Sequence, residues 1–268
     1  MARTGEALAE PRVIQWARES AGLTPRDVAK RLRTSEKTAR AWEAGTARPR
    51  LVDLERLATF VGRPLAAFFL PVPPAEPSPP TDFRVLPEDL RRPLSPKTRL
   101  AVRRAQRAQR LAGEVARALG SDAACRLQRA EIAADPEQLA ARVRQGLGLT
   151  LDAQRAFPSE GEALAGWRAA VERQNILVFQ VGVPVGELRG FSLTENDPPA
   201  VVLNARDRPT ARIFSLVHEV AHVLLRAPGL CNMEDGAGDP QAARTEVFCN
   251  GFAAAALVPA ESLRLEVG

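Results

Sequence analysis

Residues 212–226 read Arg212-Ile-Phe-Ser-Leu-Val-His218-Glu219-Val-Ala-His222-Val-Leu-Leu-Arg226 and carry the pattern H-E-x-x-H. The chain has 2 histidines in 268 residues, and both stand here. Ile213, Leu216, Val217, Val220, Val223 and Leu224 recur at helical spacing, so the stretch reads as a core helix. Residues four apart on a helix share a face, about one turn apart. The two imidazoles can therefore meet at one point, as two ligands of a tetrahedral Zn2+. Glu219 lies roughly 100° round the helix from His218 and about 60° from His222. It can flank a metal without being consumed as a ligand, where a general base for a metal-activated water must stand. A buried helix with two hydrogen-bonded histidines is the plain alternative. A glutamate and two histidines on an apolar helix are costly to bury without a partner, and a metal is the simplest one.

Two histidines leave zinc short of one protein ligand, so a third must lie downstream. The candidates are Cys231, Glu234, Asp235, Asp239, Glu246 and Cys249. Glu234, Asp235 and Asp239 stand in a glycine-rich stretch that reads as a loop. Glu246 opens a helix-like run, Glu246-Val-Phe-Cys-Asn-Gly-Phe-Ala-Ala-Ala-Ala-Leu-Val-Pro259, with Asn250 on its face. A ligand on a helix holds geometry better than one on a loop. Glu246 is therefore favoured, a gluzincin arrangement, with Cys249 second as a softer donor. Upstream, Gly161 to Gln174 reads as a helix, and Ile176–Val181, Gly190–Leu193 and Ala200–Leu203 read as short strands. The strand at Gly190-Phe-Ser is expected to be a sheet edge onto which an extended substrate can add. Short strands before a metal helix make the expected class α+β, a mostly helical zincin-like domain with a small sheet.

The chain is 45% hydrophobic and 26% charged, ordinary for a globular protein. No apolar run reaches about 18 residues, so no transmembrane helix is expected. The N-terminus lacks the apolar core of a signal peptide, so the expected location is the cytoplasm, with no membrane partner. Three scattered cysteines make neither a disulfide framework nor C-x-x-C. A net charge of +5 suits an anionic partner such as nucleic acid. The chain has no tyrosine, a common oxyanion donor in zinc peptidases. Asn250 is the remaining candidate for that role, since Arg212 stands two turns from Glu219.

The N-terminal part reads as all-α. Pro11–Ser20 is a helix closed by Gly22, and Thr24-Pro25 opens a second as cap and first residue. Ser35 caps a third that Gly45 stops. Leu51–Val61 and Pro64–Phe69 supply a fourth and a short fifth. A proline-rich run from Pro71 to Pro80 should be extended and semi-rigid. The expected domains are residues 1–70, a linker at 71–95, and 96–268, the last divided into helical 96–160 and catalytic 161–268. Pro96 to Leu119 is an arginine-rich helix, better read as a solvated face than as a second binding surface. Ala134 to Leu147 is another helix.

Gly22-Leu23-Thr24, Val28-Ala29, Leu32, Ser35, Thr38, Trp42-Glu43, Gly45, Arg48-Pro49, Leu54 and Leu57-Ala58 resemble the helix-turn-helix domain of the XRE (Cro/cI-like) family. The resemblance implies double-stranded DNA binding through residues 10–70, with Ser35 to Glu43 as recognition helix in the major groove. It puts Ser35, Glu36, Lys37, Thr38 and Arg40 at the DNA. Lys37 and Arg40 suit phosphate or guanine, and Glu36 can accept from cytosine N4. Arg33 stands in the turn where the family usually has glycine. A dimer on a palindrome is also implied.

Gly190-Phe191-Ser192, Val202-Leu203-Asn204, the 212–222 stretch, and Glu246-x-x-Cys-Asn250-x-Phe252-Ala253-Ala254-x-x-Leu257-x-Pro259 resemble the ImmA/IrrE metallopeptidases. The resemblance covers roughly residues 160–260. It implies zinc ligands His218, His222 and Glu246, a catalytic Glu219, and cleavage of an XRE-type repressor that releases stress-response, prophage or mobile-element genes. Cys249 stands where the family usually has alanine. The competing expectation is a non-cleaving XRE regulator, or an antitoxin-like autoregulator, whose zincin-like domain senses a ligand or partner.

Overall fold

In the computed structural model of the chain, residues 5–74, 94–226, 230–231, 240–260, 262 and 264 are described. They fall into two compact units, one of residues up to 74 with 94–100, the other from residue 101 onward. Most of the expected 71–95 linker lies outside the described residues.

The first unit holds α1 (Pro11–Ser20), α2 (Pro25–Leu32), α3 (Glu36–Glu43), α4 (Leu51–Val61) and a 3-10 helix, Leu65–Phe69. Local chemistry starts the middle helices. Thr24 Oγ1 accepts from the Asp27 N–H, and the Asp27 carboxylate accepts from the Thr24 N–H at 2.8 Å, a capping box. Ser35 Oγ accepts from the Thr38 N–H at 3.0 Å. Val13, Ile14, Val28, Leu32, Trp42, Leu54, Leu57 and Phe68 close one core over all of these elements. Arg18 on α1 reaches the end of α3. Its Nε donates to Glu43 Oε1 at 2.6 Å, its Nη2 to Oε2 at 2.9 Å, and its Nη1 to the Leu23 carbonyl at 2.8 Å. A two-pronged, largely buried pair of this kind fixes α3 against α1. The expected fifth helix has the tighter 3-10 winding, because Pro64 and Leu70 on either side are extended.

The second unit holds most of α5 (Pro96–Ala118), then α6 (Pro136–Leu147), α7 (Leu151–Arg155), α8 (Glu160–Glu172), β1 (Leu177–Val181), β2 (Gly190–Leu193), β3 (Ala200–Asn204), α9 (Pro209–Leu225), β4 (Leu230–Cys231) and α10 (Pro240–Leu257). The sheet order is β1-β3-β2-β4, with β1 parallel to β3 and the other pairs antiparallel. β3 is central, and all five of its residues are buried. Side-chain alternation sends Val178, Val201 and Leu203 towards α8 and α9. Phe191, Leu193, Ala200 and Val202 point to the opposite face, where Ala101, Val102 and Ala105 of α5 cover them. Buried Gln109 on α5 donates to the carbonyls of Leu193, Asn196 and Pro198 at 3.0–3.1 Å, tying the β2–β3 connection to that helix. Arg104, Arg107 and Arg110 lie on its exposed side, as a solvated arginine face requires.

α9 lies against β2, β3, α8 and α10. Every residue from Ser215 to Leu224 is buried, so even its polar side chains face protein. Three features differ from expectation. β2 is not a free edge at its start, because Gly190 pairs with Cys231 and Phe191 with Leu230 of β4. α10 begins at Pro240 rather than Glu246. α7 and β4 are too short to leave a periodic signal. No described helix is long and apolar enough to cross a membrane.

Arg33 ends α2 with φ 57° and ψ 46°, the left-handed region. A Cβ is strained there and glycine is not. Arg33→Gly should therefore raise the stability of the first unit by about 0.5–1 kcal/mol, read from urea or thermal unfolding. An unchanged or lower stability would contradict this reading of the turn.

Candidate metal centre

His218 and His222 stand one turn apart on α9, both essentially without solvent exposure. Their Nε2 atoms are 3.1 Å apart. Glu246, from the second turn of α10, closes the triangle. Its Oε2 is 3.3 Å from His218 Nε2 and its Oε1 is 3.1 Å from His222 Nε2. Ligands of a tetrahedral zinc at about 2.0–2.1 Å must stand about 3.3–3.4 Å from one another. The three side chains are thus gathered at close to the spacing one small cation needs. The donor set, two imidazoles and a carboxylate, is the set zinc takes. Among the described residues, Glu246 is the third donor the sequence favoured, and it arrives on a helix. Glu234, Asp235 and Asp239 lie outside the described residues.

The electrostatics point the same way. Burial alone would raise the Glu246 pKa, yet its contacts to His218 and His222 hold it down at about 2. Burial works against a charged His222, but contacts to Cys249 and Glu246 and the charge of Glu219 raise its pKa well above the ordinary value. A proton on His222 then supplies the positive charge that these acids demand. A metal ion supplies it equally well and must displace that proton to bind.

Glu219 is fully buried beside this cluster. Burial raises its pKa, opposed by His222, His218 and a hydrogen bond from Ser192. Apart from Ser192, no described protein donor reaches either carboxylate oxygen. Such a carboxylate is expected to meet a water or an ion. Gly190 explains the space beside it. A Cβ at Gly190 would stand 3.2 Å from the Val202 carbonyl and 3.5 Å from Glu219 Oε1. Glycine at 190 therefore relieves a tight approach to the β3 backbone and leaves Glu219 Oε1 without a Cβ against it. The sequence reading takes Gly190 and Ser192 as residues of a strand edge for substrate and of the family resemblance, with no contact to Glu219. Their one sequence signal was the run Gly190-Phe191-Ser192, which carries no spacing to Glu219.

Asn250 stands beside His218. Its Oδ1 accepts from His218 Nδ1–H at 3.1 Å, so its carbonyl is spent on orienting the ligand histidine. This fixes the tautomer that presents Nε2 as a lone pair. Arg212 donates to Gln180 on β1 and does not join the site. Cys249, one residue before Asn250, is buried against His222, and burial chiefly raises its pKa.

The residues expected at DNA lie together on the outer side of α3. Lys37 and Arg40 are exposed, and Ala39 and Trp42 face the core. Arg40 Nη2 donates to Glu36 Oε1 at 2.7 Å, an exposed pair four residues apart. Such pairs contribute only about 0.3–0.5 kcal/mol, so DNA phosphate can replace Glu36 as the partner. Ser35 and Thr38 are committed to the helix cap, with their hydroxyls 2.8 Å apart.

Two outcomes follow from the metal geometry. Asn250→Ala should lower zinc affinity about 10–100-fold, and Asn250→Asp should keep most of it, measured by competition with a chromophoric chelator. Because the raised pKa leaves His222 protonated at neutral pH, zinc binding should release a proton and tighten as pH rises. Calorimetry in two buffers of different ionisation enthalpy reads that proton; equal heats in both would refute it.

Comparison with known families agrees with this architecture. Residues 171–267 match the model of a peptidase family described as the IrrE N-terminal-like domain, and residues 12–68 match that of a helix-turn-helix domain. No curated protein and no solved structure matches the chain significantly. The chain is therefore similar to a helix-turn-helix domain over its N-terminal part and to the IrrE N-terminal-like domain of a peptidase family over its C-terminal part.

Proposed function

We propose that the chain is a zinc-dependent, site-specific endopeptidase carrying its own DNA-binding domain, and that it cleaves an XRE-type transcriptional repressor in the cytoplasm. Relief of repression would then switch on stress-response, prophage or mobile-element genes. The observation that carries this reading is the triangle of His218, His222 and Glu246 with edges of 3.1–3.3 Å, beside the buried Glu219. His218, His222 and Glu246 are the residues that would hold zinc. Bound there, zinc supplies Lewis acidity to a water and to the scissile carbonyl. Glu219 takes the proton of the attacking water and returns it to the leaving amine. A pKa raised by burial suits a group that must hold a proton between those two steps. Asn250 holds His218, Ser192 steadies Glu219, and the missing Gly190 side chain leaves room at the carboxylate.

One observation favours a second reading. The chain has no tyrosine, both histidines are spent on the triangle, and Asn250 has its carbonyl oxygen engaged by His218. The Asn250 amide N–H is then the one donor named here for an oxyanion besides the metal, which fits slow cleavage of one partner or none at all. A non-cleaving XRE regulator or antitoxin-like autoregulator would use the same metal centre as a sensor.

Glu219→Gln separates the two. On the first reading it should keep zinc and lower cleavage of a co-expressed XRE-type repressor by about 10²–10⁴-fold. Full cleavage by Glu219→Gln would end the proposed role of that residue, and no cleavage of any such repressor by the wild type would favour the sensor. For DNA, residues 10–70 are proposed to bind as a pair on a palindrome, with α3 in the major groove. Lys37→Ala should weaken binding on all sequences and reduce the salt dependence by about one phosphate contact. An unchanged salt slope would remove Lys37 from the interface.

A further inference from the structure

We propose that Cys249 is a fourth protein donor of the same metal centre, closing it with a soft thiolate beside His218, His222 and Glu246. The inference rests on the metal-site reading above and deepens it.

Cys249 follows Glu246 by three residues on α10, so the two share a face. One donor atom each from His218, His222 and Cys249 lies within 4.8 Å of the others, and all three side chains are buried. The Glu246 triangle uses the same two histidines. Glu246 is 25% exposed, whereas Cys249 has no exposure. The carboxylate is thus the partly exposed donor and the thiol the buried one. His218 is pinned by Asn250, but His222 Nδ1 is buried with no hydrogen-bond partner.

A cysteine can also sit in a core as a small apolar side chain. That role explains the packing of Cys249 beside Phe248, Phe252 and Ala253. It does not explain a thiol set against a histidine that itself faces two carboxylates. Ligation does. The thiol loses its proton to solvent, the sulfur lone pair forms the bond to the ion, and the thiolate charge adds to that of Glu246. Two imidazoles, a carboxylate and a thiolate make four protein donors, the number of a closed zinc site, so the cleaving state of the proposed function requires the sulfur to be off the metal. Blocking or removing the sulfur opens one position. Access to the metal would then follow the state of one thiol.

The test uses the full chain loaded with Co2+, whose spectrum reports its ligands. Wild type should show tetrahedral d–d bands and a thiolate-to-cobalt charge-transfer band in the near ultraviolet. Cys249→Ala should lose the charge-transfer band and keep bound cobalt, while Cys125→Ala and Cys231→Ala should retain both features. Cobalt bound without the thiolate band, or a band lost in Cys231→Ala instead, would overturn the proposal while leaving the three-ligand site standing. No uptake of cobalt or zinc by wild type would overturn both. Should Cys249→Ala fail to fold, X-ray absorption of the wild-type zinc protein decides alone. A sulfur shell at about 2.3 Å, retained in Cys231→Ala, supports the proposal, and only nitrogen and oxygen at about 2.0–2.1 Å refutes it.

Discussion

Two buried imidazole nitrogens 3.1 Å apart, facing one carboxylate, are the constraint on which the second unit depends. Lone pairs at that separation repel unless a cation lies among them, and a proton on His222 or a metal ion can serve. The cost of burying three polar groups without such a cation would be several kcal/mol. The surrounding fold is arranged to hold them regardless. α9 is enclosed by the sheet on one side and by α8 and α10 on others, so neither histidine can turn out to water. α10 brings Glu246 and Asn250 to the same pair of rings from a second rigid helix. The site is therefore organised by packing before any ion binds, as precise ligand geometry requires.

The sheet serves this arrangement rather than the reverse. β3 is buried on both faces, with α9 on one side and α5 on the other. β2 lies beside it, and at position 190 a Cβ would be crowded by the Val202 carbonyl and would touch Glu219. Helix α5 clamps the β2–β3 connection through Gln109. The strand that bears Ser192 is thereby held in register with the helix that bears Glu219.

Most helices were legible because their ends carry chemistry. Thr24-Pro25, Ser35 and Gly45 mark starts and stops through hydrogen bonds that depend on near neighbours alone. The H-E-x-x-H helix was legible because its apolar stripe and its two histidines share one period. Glu246 could be favoured because a helix positions a ligand better than a glycine-rich loop. What could not be read depends on rotations between elements. That Asn250 meets His218 is decided by how α10 rolls against α9, and one-dimensional spacing holds no record of that angle. The same holds for Ser192 and Glu219. β4 escaped notice because two residues give no alternation, and its pairing removes the free edge expected at Gly190. Arg33 was visible only as a departure from glycine, and its left-handed backbone shows what that departure costs.

The central claim is that His218, His222 and Glu246 hold one metal ion, and metal content tests it most directly. Full-length protein, purified without chelator, would be compared with His222→Ala and Glu246→Ala by elemental analysis, with folding checked by circular dichroism. About one zinc per chain in the wild type, lost in both folded variants, is the result expected of a three-ligand site. No zinc in the wild type and none taken up on titration, or full zinc in both variants, would contradict it.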